Sequence, residues 1–349
     1  MKTDMKLMDV TLRDGSYSIN FQFSESDTST LCKGLEEAGI EYIEIGHGMG
    51  LNASSAQNGE ALCSDEEYLY AAQQTCSGAK FGMFCIPGIA RVSDIELLKR
   101  FGGSFVRIGT NVTEISQSKE YIEKAKECGL EVMANYMKSY VATEEEFREG
   151  VRLSRSYGAD IIYVVDSAGG MCPEDIKKYF GVIQEEGMRA GFHGHDNLGL
   201  AVSNSLYAAE LGFEFIDTSL KGMGRSAGNA ATELVVANLQ KRYGIDQYDC
   251  KKLIECGERY VKPLYLHAGY NALDVYCGIA EFHTSYMKSI HKYASKFQVN
   301  PLDLIVEYTK IDKVSMDETL LEKIAAGLPK SDCNLMEFGF SEYFGNEQR

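Results

Sequence analysis

The sequence predicts an α/β fold, a TIM (β/α)8 barrel followed by a helical C-terminal extension. Three observations carry that reading. Eight short β-rich runs recur along the first two-thirds of the chain. Amphipathic stretches separate them at a spacing of roughly 25 to 35 residues, as in repeated βα units. Several of those stretches stop at a glycine, the residue that helix C-termini prefer.

The strands are expected at 6–10, 42–45, 80–85, 104–108, 131–135, 161–165, 191–193 and 215–217. Eight is the barrel count, and an open doubly wound sheet rarely reaches eight regular units. Helical patterns lie between them at 28–38, 118–128, 144–157, 173–186 and 201–211, with Gly39, Gly129, Gly158, Gly187 and Gly212 at their ends. After about Tyr243 the rhythm turns to Lys- and Tyr-rich helical segments at 251–260, 281–297, 301–310 and 317–327. The expected division is therefore a catalytic barrel over 1–243 and an extension over 244–349, ending in aromatics (Phe338, Phe340, Tyr343, Phe344) without a period.

At 349 residues, 44% hydrophobic and 25% charged, the composition is that of a globular protein with a large core. A net charge of −16 argues against nucleic acid or an anionic membrane as partner, since both need clustered Lys and Arg. Ten cysteines without a C-x-x-C indicate neither a zinc ribbon nor a redox dithiol. The first residues lack a signal-peptide core and no apolar run approaches the roughly 18 residues of a membrane span, so a cytoplasmic protein is expected.

Catalytic groups of a parallel barrel sit at the C-terminal ends of its strands. The first strand runs into Thr11-Leu12-Arg13-Asp14-Gly15 and the seventh into His193-Gly194-His195. Side chains two apart on a strand share a side, so His193 and His195 can reach one ion. Asp14 from another strand end would complete an N2O set with open positions, suited to Mn²⁺, Mg²⁺, Zn²⁺ or Co²⁺. Arg13 would face the same mouth, where its planar fork can stabilise an enolate oxygen. Glu44, set among apolar residues at the end of the second strand, is the natural partner to hold it. The loop Gly222-Met223-Gly224-Arg225-Ser226-Ala227-Gly228-Asn229 follows the eighth strand; its backbone N–H groups could cradle an anion, and Asn229 is a substrate-binding candidate. It lacks the position and the downstream acidic residue of a dinucleotide fold.

Taken together, T-L-R-D-G, I-E-I-G-H-G-x-G-L, Y-V-V-D-S-A-G, H-G-H-D-N-L-G-L and K-G-M-G-R-S-A-G-N resemble the DRE-TIM metallolyases, the superfamily of 3-hydroxy-3-methylglutaryl-CoA lyase, and within it the 4-hydroxy-2-oxovalerate aldolases. The resemblance covers about 7–239. It implies a carbon–carbon lyase that splits a 4-hydroxy-2-oxo acid into pyruvate and an aldehyde, with Asp14, His193 and His195 holding the metal, Mn²⁺ foremost. Arg13 would stabilise the enolate, Glu44 would orient Arg13, and His47 with the loop to Ser54-Ser55 would line the site and bind substrate. In the resembled aldolases the extension docks a dehydrogenase that receives the aldehyde; such a partner, or a homo-oligomer, stays open here.

The chain departs from the aldolase pattern at Tyr17, where the family places a histidine as base, at Ala280-Glu281, where it places tyrosines, and at the ends of the fourth and fifth strands. Tyr17 is expected to be functional as base or hydrogen-bond donor, the alternatives for the proton being His47 or a hydroxide on the metal. Two competing functions are Claisen chemistry on an acyl-CoA and a metal-binding barrel that has lost catalysis and serves as a partner subunit. Biotin-dependent carboxyl transfer needs a lysine where this chain has Val165.

Overall fold

A computed structural model describes residues 5–265, 268–340 and 343. The strands β1 (Lys6–Asp9), β2 (Tyr42–Ile45), β3 (Lys80–Cys85), β4 (Phe105–Asn111), β5 (Glu131–Met137), β6 (Ile161–Asp166), β7 (Arg189–Gly194) and β8 (Phe215–Thr218) pair in parallel in chain order, and β8 closes onto β1. The expected barrel is thus the observed fold. The strands β4 and β5 run past their expected ends because Asn111 stays in register with Met137. Gly109 fits inside that extension since a Cβ there would lie 2.3 Å from the Phe84 ring.

Alternation of side chains sorts each strand into a face toward the helices and a face toward the barrel axis. Axis-facing Met8, Tyr42, Phe105, Met133, Tyr163 and Phe215 form one apolar cluster. Two residues further along four of these strands the same face turns polar: Tyr42 is followed by Glu44, Phe105 by Arg107, Met133 by Asn135, and Phe215 by Asp217, while Met8 and Tyr163 are followed by Val10 and Val165. An apolar plug therefore fills the lower barrel, and a buried polar layer rests on it below the mouth.

Around the barrel lie α1 (Glu25–Glu37), α2 (Asp65–Thr75), α3 (Asp94–Arg100), α4 (Lys119–Glu127), α5 (Glu144–Tyr157), α6 (Pro173–Glu185), α7 (Ala201–Leu211) and α8 (Thr232–Tyr243). Thr143 and Glu146 form a capping box at the start of α5, where a side-chain cap contributes about 1 kcal/mol. Gly158 and Gly212 close α5 and α7 at φ 107°, a left-handed conformation that costs glycine little. The pattern over 28–38 missed the first turn of its helix, which Ser24 caps.

Beyond α8, α9 (Cys250–Cys256) lays Leu253 and Cys256 into the main core and passes into a π turn at Gly257–Val261, so the helix expected to Tyr260 changes form after Cys256. The helices α10 (Ala272–Ala280), α11 (Met287–Phe297), α12 (Pro301–Thr309) and α13 (Glu318–Gly327) gather a second apolar core. The start expected at Glu281 is displaced to Met287, because Glu281 itself ends α10 in a left-handed conformation (φ 53°). Phe340 and Tyr343 are buried in this second core, whereas Phe344 lies outside the described residues. Among the described residues no helix is long and apolar enough to cross a membrane.

Candidate metal centre

Asp14 opens a 3-10 turn (Asp14–Ile19) just after β1, His193 stands in β7, and His195 follows it. All three are buried, and one ligand atom from each lies within 4.8 Å of the others. The imidazoles are oriented by acceptors. Nδ1 of His193 is 2.8 Å from Asp217 Oδ2 and Nδ1 of His195 is 3.2 Å from the Gly228 carbonyl, so each Nδ1 carries the proton and donates it. Both Nε2 atoms are then bare, and they face each other at 3.4 Å. Two lone pairs that close, beside a carboxylate, fit a cation between them, and the mixed nitrogen and oxygen donors suit a first-row divalent ion.

Electrostatics point the same way. Burial would raise the Asp14 carboxyl, but Arg13 and then the two histidines and Arg225 hold it below the usual carboxylate range. Burial and Arg225 push His195 well below the ordinary imidazole value, which keeps the ring neutral. Arg225 leans across the centre, with Nη2 donating to His195 Nε2 at 3.0 Å and to the Ser167 carbonyl at 3.1 Å, and Nη1 to Thr284 Oγ1 at 2.6 Å. Asn229 donates from Nδ2 to Asp14 Oδ2 at 2.8 Å, leaving its own amide oxygen buried without a partner. In the loop that was expected to cradle an anion, Arg225 N reaches the Asp14 carboxylate at Oδ2, while the N–H groups of Gly228 and Asn229 bond within the loop. Its helix, α8, begins only at Thr232.

A chain of buried charges runs from Asp14 to the partner of His193. Arg13 Nη1 is 2.7 Å from Asp14 Oδ1, and its Nε is 2.6 Å from Glu44 Oε2. That carboxylate oxygen also meets Arg107 Nη1 at 3.1 Å, and the same nitrogen is 2.7 Å from Asp217 Oδ2, the partner of His193. Arg107 is fully buried, with Nη2 on Asn135 Oδ1 at 2.8 Å and its guanidinium 4.4 Å from the Tyr163 ring centroid. Burial opposes its charge, but Asp217 and Glu44 outweigh that and raise its pKa. Arg13 keeps Nη2 without a partner among the described residues. The sequence reading missed Arg107, Asp217 and Arg225.

Tyr17 shares the 3-10 turn of Asp14, and residues three apart in such a turn lie on one face. It is buried, edge-on to Phe21 at 5.1 Å, and so tight against Gly48 that a Cβ there would sit 2.4 Å from the Tyr17 ring. His47 is buried but is not part of the metal cluster. It stacks on Phe21 at 3.8 Å, accepts from Met49 N at Nδ1 (3.1 Å) and donates from Nε2 to the Gly59 carbonyl at 3.1 Å. Burial lowers its pKa to about 4, against a smaller opposing pull from Gly59. Both ring nitrogens are thus spent on holding the loop. A cavity of about 290 Å³ opens over the ends of β3, β4 and β5, between Ile86, Ile89, Asn111, Gln117, Lys138 and Tyr286.

The HMGL-like family profile matches residues 4–259. The chain is 34% identical to 4-hydroxy-2-oxovalerate aldolase of Carboxydothermus hydrogenoformans over 95% of this chain and 99% of the relative. It is 36% identical to 4-hydroxy-2-oxovalerate aldolase of Geobacillus thermodenitrificans over 93% and 95%. Among solved structures, an N-terminal domain from Bacteroides vulgatus, provisionally called an aldolase, superposes with a TM-score of 0.71 at 23% identity over 88% of this chain and 97% of that one. The carboxyl transferase domain of Rhizobium etli pyruvate carboxylase superposes with a TM-score of 0.73 at 16% identity over 93% and 60%. At such identities the two structures speak for the fold alone.

Proposed function

The chain belongs to the HMGL-like family, and from that premise we propose that it is a divalent-metal-dependent aldolase, making or cleaving the C3–C4 bond of a 4-hydroxy-2-oxo acid through a pyruvate enolate. The observation that carries this reading is the pairing of a candidate three-ligand centre with a guanidinium that still has a free nitrogen: Arg13 is tied to Asp14 and Glu44 by two of its nitrogens and keeps the third without a partner among the described residues. Asp14, His193 and His195 would hold the ion, with Mn²⁺ our first choice, and the ion would supply Lewis acidity to the 2-oxo group.

In the cleavage direction the 4-hydroxyl loses its proton, the electrons of the C3–C4 bond move toward C2, and negative charge collects on the 2-oxo oxygen. Arg13 Nη2 meets that charge as it develops, and Glu44 keeps the guanidinium from turning. Tyr17, on the face of the turn that carries Asp14, is the group we assign to the hydroxyl proton. Its ordinary pKa of about 10 makes it a poor base unless its anion is stabilised, and Arg13 together with the centre's positive charge would do that. His47 supports the wall of the site rather than taking the proton, since both its nitrogens are engaged. Asn229 steadies Asp14 through Nδ2 and keeps a buried amide oxygen without a partner. A dehydrogenase partner, if kept, would dock on the extension, which exposes Ile279 and Ile311.

The test is incubation of the Mn²⁺-loaded protein with pyruvate and a series of aldehydes, with the condensation product read by mass spectrometry. A 4-hydroxy-2-oxo acid is expected. Protein that holds stoichiometric Mn²⁺ and forms no product with any aldehyde would overturn the reading.

A further inference from the structure

We infer that Lys138 is an oxyanion anchor in the cavity over β3, β4 and β5, and that the aldehyde half of the substrate carries a carboxylate or phosphate group. This rests on the aldolase reading above, in which the pyruvate half occupies the metal side.

Lys138 follows β5 directly and is only 5% exposed, yet no carboxylate lies within ion-pair distance of it among the described residues. Its Nζ donates to the Tyr286 hydroxyl at 2.9 Å and to the Val314 carbonyl, both from the C-terminal extension. An ammonium has three donors, so one remains, on a side chain that lines the cavity. Burying a cation against two neutral oxygens is costly unless something anionic arrives. The backbone strengthens the case. Lys138 has φ 56°, a left-handed conformation rare outside glycine, held by its N–H on Ser167 Oγ at 3.0 Å.

The surroundings suit a polar, negatively charged guest. Gln57, Asn58, Asn111 and Gln117 bring amides to the cavity, and the one carboxylate among its walls, Glu114, is exposed at the rim, where Asn111 Nδ2 binds it at 2.8 Å. The inner end is thus cationic and the outer end anionic. Burial, and secondarily Arg225, bring the Lys138 ammonium down to about 8, so it remains charged at neutral pH. The backbone of the anchor is also joined to the metal centre: Ser167, which holds the Lys138 N–H, gives its carbonyl to Arg225, and Arg225 meets His195.

The experiment compares aldehydes matched in carbon chain on the Mn²⁺-loaded protein with pyruvate: butanal against 4-oxobutanoate, and glyceraldehyde against its 3-phosphate. Charge-assisted hydrogen bonds of this kind correspond to a preference of roughly 10- to 100-fold in kcat/KM for the charged member. The pair that shows it identifies the carboxylate or the phosphate as the group bound. Lys138→Met should bring that ratio to near unity, and Lys138→Arg should keep part of it. Equal use of charged and neutral aldehydes by the wild type overturns the inference even if Lys138→Met fails to fold, as does a Lys138→Met effect confined to the KM for pyruvate. Calorimetric titration with succinate and with inorganic phosphate separates this inference from the aldolase reading. Oxyanion binding that Lys138→Met abolishes, without condensation of any aldehyde, upholds the anchor and refutes the aldolase; condensation of butanal without oxyanion binding or preference does the reverse.

Discussion

Asp217 Oδ2 lies 2.8 Å from Nδ1 of His193, and this contact decides which nitrogen of the ring is left bare. A carboxylate behind a ligating histidine fixes its tautomer and raises its basicity. Asp217→Asn should therefore lower Mn²⁺ affinity by about 10- to 100-fold, measured by titration calorimetry. Unchanged affinity would remove Asp217 from the support of the centre.

Arg13 acts where charge develops, so Arg13→Ala should reduce kcat by roughly 10² or more with a smaller change in KM. Lysine lacks the planar fork that spans Asp14 and Glu44, and Arg13→Lys should recover only part of the loss. A change confined to KM would recast Arg13 as a carboxylate-binding group.

For Tyr17 the informative change is to phenylalanine, which keeps the ring against Gly48 and Phe21 and removes only the oxygen. Steady-state kinetics should show a fall in kcat of at least roughly tenfold, about 1.4 kcal/mol of barrier. Unaltered turnover with metal still bound would leave Tyr17 as packing.

Gly224 has no room for a side chain: a Cβ would lie 2.4 Å from Asn229 Nδ2 and 2.9 Å from Asp14 Oδ2. Gly224→Ala should fold, since its neighbour at risk is a side-chain amide, but should displace Asn229 from Asp14 and weaken Mn²⁺ by roughly tenfold. Wild-type affinity in a folded Gly224→Ala protein would show that Asn229 does not steady the ligand.

His47 sets a pH dependence. Its folded imidazole titrates near 4 because burial disfavours the charge, while an unfolded one titrates near about 6.5. As pH falls the unfolded chain takes up the proton first, so the stabilisation is complete above about pH 6.5 and is lost as pH falls from there through 4. Denaturant melts at pH 7 and pH 4.5 should show His47→Gln losing less stability on acidification than the wild type, by up to about 3 kcal/mol. Equal losses in the two proteins would contradict this.

The barrel was legible because strand alternation and glycine-closed helices are local signals that eight repeats reinforce. The cluster that could hold a metal was legible because His193 and His195 are two apart at a strand end. Arg107 was not, since a single arginine within β4 reads as a solvated charge until the strand's inner face is known. The signal was nevertheless present: Phe105-Val106-Arg107 and Phe215-Ile216-Asp217 follow the same apolar-to-polar step as Tyr42-Ile43-Glu44, where the site was sought. His47 was placed at the right strand end, but its stacking on Phe21 and its bond to Gly59 depend on a loop whose path no periodicity encodes. Lys138 was hidden in the same way, because its oxygen partners come from Tyr286 and Val314, almost 150 residues or more further along.

The buried sequence of contacts from Asp14 through Arg13, Glu44, Arg107 and Asp217 to His193 has an evolutionary consequence. From Asp14 to Asp217 its charges alternate, so Arg13, Glu44 and Arg107 each stand between two of the opposite sign. Neutralising Glu44 alone would leave Arg13 and Arg107 confronting each other in a buried space, and neutralising Arg107 alone would do the same to Glu44 and Asp217; losses of this kind cost roughly 3–5 kcal/mol. Single steps are closed to drift here, and only coordinated replacement of neighbours is open. Relatives that differ at one of these positions should differ at the next as well, whereas the apolar plug beneath, where volume alone matters, is free to vary one residue at a time.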